Sequence, residues 1–176
     1  LIARRLLSTE SHHELLIYEA LLSLTNISSC LQGKEYFAEE IARLECGPKN
    51  LYQMLSRDLM FEKNDKLKLA SAELLSNLSL SKTVQKIVQD SEFGIDAQYL
   101  VTTLKDIIKR KDEIEQPEKM IEAFQKAVFG FFANLVSIEK VRLYLKTEAS
   151  LIVETLACCS DAQLVHRIVY IADEFL

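Results

Sequence analysis

The chain has 176 residues, 49% of them hydrophobic and 27% charged, with 21 Lys and Arg against 26 Asp and Glu and a net charge of −5. That balance fits one domain with a sizeable core and is far from the polar composition of disorder. It disfavours nucleic acid as a partner: the nearest basic cluster, Lys109-Arg110-Lys111, runs straight into Asp112, Glu113 and Glu115.

Four Gly and two Pro are few for this length, which favours long helices joined by short connections. Cys30, Cys46, Cys158 and Cys159 form no CxxC, and His12, His13 and His166 stand at no metal-site spacing. No metal and no cofactor are expected, and the cysteines read as small apolar residues of a reducing, cytoplasmic compartment. No apolar run reaches the roughly 18 residues of a membrane span. The chain opens at Leu1 with neither Met nor a signal-like segment, which points to a piece of a longer protein.

In chain order, Ser11 and Glu14 have the spacing of a capping box and predict a helix from Ser11, with a stripe through Leu15, Ile17, Tyr18, Leu21, Leu22, Leu24 and Ile27. Gly33 and Gly47-Pro48 bracket a short helix over residues 35–44. A second short helix covers 82–89 and is ended by Gly94, and a medium one covers 96–109. Residues 109–116 read as a loop. Gln116-Pro117-Glu118 carries Pro and acid at a helix start and opens a long helix over 118–138. Helices over 139–146, 148–159 and 161–176 follow, the last with Ser160 and Gln163 as its capping box. Nothing alternates with period two, so no strand is needed.

Three segments share a pattern: "SLTNISS" (23–29), "LLSNLSLS" (74–81) and "FFANLVS" (131–137). Each places an Asn (Asn26, Asn77, Asn134) after a small residue and before Ile or Leu, inside an apolar helix. Asp173 heads a degenerate fourth copy. The four positions are 51, 57 and 39 residues apart, against about 40 to 47 for armadillo and HEAT units. The excess is assigned to insertions at 46–50 with 59–64, and at 110–116. A short, a medium and a long helix per interval match the three-helix armadillo arrangement. The expected fold is therefore all-α, an armadillo-type α-solenoid forming a right-handed superhelix of three-helix repeats. Its repeats span approximately 1–29 (partial), 30–81, 82–138 and 139–176.

"YEALLSLTNISS" (18–29) resembles the start of the armadillo region in the UCS-domain myosin chaperones, which carry a run of the form E-A-L-x-A-L-T-N-L-A. "ASAELLSNLSLSKTVQKI" (70–87) resembles their following unit, an A-x-E-L-x-x-N-L run before a short charged helix. The remainder matches as generic armadillo spacing. The resemblance implies a solenoid that binds the motor domain of myosins and supports their folding and actin-based work. Animal members of the family also recruit Hsp90 through a tetratricopeptide domain, which nothing in these residues resembles.

In armadillo proteins the third helix lines a groove, and its Asn hydrogen-bonds the backbone of an extended bound segment. Carried over, that role falls on Asn26, Asn77 and Asn134, with Leu22, Glu73 and Gly130 one turn earlier on the same face. Importin-like grooves carry Trp at that place, and this chain has no Trp, so a reader of basic signals of that type is not expected. The other readings of each Asn are that it satisfies backbone groups of a neighbouring helix, or that it faces water. Glu19, Glu73 and Glu122 have no partnered acid or base in readable register. Neither a G-x-S-x-G nor a Gly-rich phosphate loop occurs. A non-catalytic protein-binding module is therefore expected, with a generic armadillo scaffold for an unrelated partner as the alternative and a helical enzyme-regulatory domain as a third reading.

Overall fold

The structure, a computed structural model, describes residues 14–42, 47–61, 64–90, 93–114, 117–159 and 161–174. Among them the chain is all-α. Helix α1 is Glu14–Ser28, α2 Leu31–Ala42, α3 Gly47–Ser56, α4 Asp65–Leu78, α5 Lys82–Asp90, α6 Phe93–Lys109, α7 Pro117–Leu135, α8 Glu139–Thr147, α9 Ala149–Cys158 and α10 Ala162–Asp173. Short 3-10 turns, Asp58–Phe61 and Lys111–Glu113, precede α4 and α7.

After α1 the helices fall into three successive triplets. Each begins five residues after an Asn of the shared pattern, at Leu31, Lys82 and Glu139. The third helices stack in order, α4 on α1, α7 on α4 and α10 on α7. The residue two before each Asn or Asp, namely Leu24, Leu75, Phe132 and Ile171, is buried. Phe124, Phe129, Phe131 and Phe132 of α7 are fully enclosed together with Leu67, Leu74, Leu75 and Leu78 of α4. Burying one such side chain stabilises by about 1.5–3 kcal/mol, so this central pair carries much of the fold.

Polar ties join the other helices. Arg57, just past α3, donates from Nε to the buried carboxylate of Asp96 in α6. Burial and that neighbouring negative charge push the phenol of Tyr52 well above its ordinary range. At the start of α4, Asp65 accepts from Arg110 Nη2 at 3.1 Å and from Lys68 Nζ at 3.1 Å. Arg110 Nε also holds Asp106 at 2.8 Å, so this cluster clasps the end of α6 to the beginning of α4.

Several boundaries differ from the expected ones. Ser11 lies outside the described residues, as do Cys46 and the pair 115–116. Gly33 sits inside α2 rather than before it. A Cβ there would fall 1.8 Å from the Ile27 carbonyl oxygen, so the residue marks a close approach and not a break. Gly47-Pro48 opens α3, consistent with the tolerance of Pro in a first turn. Gly94 lies within α6 instead of ending α5. The long helix stops at Leu135, three residues early, and Ile138 becomes the N-cap of α8. Ser160, the expected cap of α10, lies outside the described residues, and the cap is Asp161. Its carboxylate accepts from Leu164 N at 2.8 Å and pairs with Lys126 of α7 at 3.0 Å, a charge interaction that a serine lacks. Asn64, assigned to an insertion, caps α4 by accepting from Lys66 N.

Candidate functional site

The last turn of an α-helix leaves carbonyl oxygens without intrahelical donors. At the end of α1, Thr25 O accepts from Asn77 Nδ2 of α4 at 3.1 Å, and Ser28 Oγ accepts from the same nitrogen at 3.4 Å. Ser28 Oγ itself donates to Thr25 O at 3.0 Å, which closes a three-membered clamp. The same clamp recurs one triplet on. Asn134 Nδ2 of α7 donates to Ser76 O and to Ser79 Oγ, both at 3.0 Å, and Ser79 Oγ donates to Ser76 O at 2.6 Å. In both cases the acceptors stand one before and two after the preceding Asn.

The next interface lacks both halves of the clamp, since Val136 replaces the serine and Asp173 the asparagine. Here α10 is tied to α7 by Arg167, whose Nη1 donates to Lys126 O at 2.8 Å. Gly130 makes room for it: a Cβ there would lie 2.9 Å from Arg167 Nη1 and 2.6 Å from Ser76 Oγ. Carbonyls at the end of α7 are taken instead by Arg142, which donates to Val136 O at 3.3 Å and to Ser137 O at 3.1 Å. Gln85, at the same offset of eight from its Asn, donates to Ser79 O at 3.3 Å.

The six candidate residues thus separate. Asn77 and Asn134 are half-buried and direct their amide nitrogens into the stack. Asn26 is exposed. Gly130 is buried beneath Arg167. Leu22 is half-buried against the core. Glu73 is half-buried one turn before Asn77, and desolvation pushes its carboxyl above the ordinary carboxylate value. On α4 the residues reaching solvent on this side include Lys66, Leu69, Glu73, Ser76 and Asn77, with Leu80 beyond its end, a stripe at helical spacing. The sequence reading missed the serines of the clamp and the capping side chains Gln85 and Arg142. The repeated Ser two places after Asn26 and Asn77 was the signal that could have found the serines.

This surface can form hydrogen bonds and apolar contacts. Among the described residues no group of three or more His, Cys, Asp or Glu could hold a metal ion, and no helix is long and apolar enough to cross a membrane. No family model, curated protein or solved structure matches the chain.

Proposed function

We propose that the chain is a stretch of armadillo-type α-solenoid, non-catalytic, whose open third-helix face holds a segment of a myosin motor domain, as in the UCS chaperones it resembles. The observation that carries the solenoid reading is the duplicated clamp. Asn77 on Thr25 and Ser28, and Asn134 on Ser76 and Ser79, use the same atoms at the same offsets. A stack in which each unit caps the helix end of the one before can extend by adding units, and it leaves one side of every third helix uncovered. The choice of myosin comes from the "YEALLSLTNISS" and "ASAELLSNLSLS" segments. Recruitment of Hsp90 would belong to parts of the protein outside these residues.

The test is a pulldown of purified myosin motor domain by the chain, comparing wild type with Asn26→Ala and Leu22→Ser. Asn26 serves best because it is exposed and, among the described residues, its amide makes no clamp. Weaker capture by both variants is expected. No capture by the folded wild-type chain would remove the myosin client and leave a scaffold for another protein.

A further inference from the structure

We infer that the open face around Glu73 takes an extended protein segment carrying a lysine or arginine between apolar residues, with Glu73 receiving the cation. This rests on the reading of that face as the binding one, and it adds the chemistry of the occupant.

The clamps decide which hydrogen-bonding atoms remain. A carbonyl oxygen only accepts, so the amide atom meeting Thr25 O or Ser76 O must be the nitrogen. In each clamp one amide nitrogen lies within hydrogen-bond distance of both a carbonyl and a serine hydroxyl. The acceptor Oδ1 of Asn77 and of Asn134 takes no part in the clamps. Asp173, at the same place in the last triplet, is an acceptor when ionised. Along this row the protein offers acceptors to the donors of an occupant.

Glu73 adds charge to that requirement. It stands between Leu69 and Asn77 on α4, while the equivalent places on α1, α7 and α10 are Leu22, Gly130 and Val169. Among the described residues it enters no ion pair. A partly desolvated carboxylate without a cation is a cost to the fold that a bound ammonium or guanidinium relieves. Other cations of this face are engaged: Lys126 holds Glu122 at 2.7 Å and Asp161 at 3.0 Å, and Arg167 holds the Lys126 carbonyl. Lys66 lies two turns away at the start of α4. Leu22, Leu69 and the exposed Leu80 supply apolar surface for the flanking side chains.

The experiment is fluorescence anisotropy with three labelled peptides, identical except for a central lysine, glutamine or glutamate between leucines. Wild type should bind the lysine peptide about 5- to 10-fold more tightly than the glutamine peptide, and the glutamate peptide most weakly. Glu73→Gln should abolish that preference while raising thermal stability, a combination that damage to the fold does not produce. Equal affinity for all three peptides, no binding of any, or a lysine preference that survives Glu73→Gln overturns the inference. A motor domain that fails to bind while the lysine peptide binds through Glu73 removes the myosin client and supports the face assigned here.

Discussion

The side-chain nitrogen of Asn134 lies 3.0 Å from the main-chain carbonyl of Ser76, 58 residues earlier in the chain. One triplet before, Asn77 does the same to Thr25 across 52 residues. Each Asn closes the end of the preceding third helix, so a residue that costs its own helix some propensity is repaid at another helix's C-terminus. Asn77→Ala and Asn134→Ala should each lower stability by about 1 kcal/mol in urea unfolding. Substitution by Asp should cost more, because it sets an acceptor against a carbonyl. Asn26→Ala and Asn26→Asp should leave the urea midpoint within error. Equal losses at all three positions would show that the clamp is not what distinguishes them.

The two helical glycines predict different outcomes. A Cβ on Gly33 would meet backbone, the Ile27 carbonyl oxygen at 1.8 Å, which cannot move without separating α1 from α2. On Gly130 it would meet the ends of two side chains, Ser76 Oγ and Arg167 Nη1. Gly33→Ala should therefore cost about 2–3 kcal/mol or more, and Gly130→Ala about 1 kcal/mol. Removing the hydroxyl with Ser76→Ala should recover part of the Gly130→Ala loss. Thermal unfolding of the single variants and the Gly130→Ala, Ser76→Ala double variant checks both statements.

The helices from Lys82 onward were legible because their apolar stripes repeat at helical spacing, whereas the helix Gly47–Ser56 was not, its first residues having been assigned to an insertion. What the amides do was not legible, because an Asn on a helix can face a ligand or a neighbouring helix with the same local sequence. Only the fold brings Thr25 to Asn77. Gly33 and Gly94 read as breakers because sequence does not distinguish a glycine that ends a helix from one inside it, as at Gly33 where another backbone approaches. The choice of Asp161 over Ser160 as a cap was also out of local reach. Both residues are good caps, and the lysine that pairs with Asp161 lies on α7.

Glu73 predicts a pH dependence with a definite sign. Desolvation raises its folded-state pKa above the ordinary value of 4.5, so the folded chain holds this proton more tightly than the unfolded chain. The resulting stabilisation is present below the unfolded value and is lost as pH rises through the raised folded value. At neutral pH the charged carboxylate is therefore a cost, and Glu73→Gln should raise the urea midpoint at pH 7. At about pH 3.5, below both values, the gain should largely vanish. A variant that is less stable than wild type at pH 7 would mean that Glu73 has a stabilising partner.

Arg142 and Gln85 stand eight residues after Asn134 and Asn77, and each reaches back to the carbonyl two places after its Asn. A cationic side chain at a helix C-terminus gains from the helix dipole as well as from the hydrogen bond. Arg142 also reaches Ser137 O at 3.1 Å, closing a helix end that has lost its serine to Val136. Arg142→Ala should cost about 1 kcal/mol and speed amide exchange in the last turn of α7. Arg142→Gln should recover part of that loss, since Gln85 performs the equivalent capping with an uncharged amide. If the glutamine variant behaves like the alanine variant, the charge of Arg142 rather than its hydrogen bonds holds the end of α7.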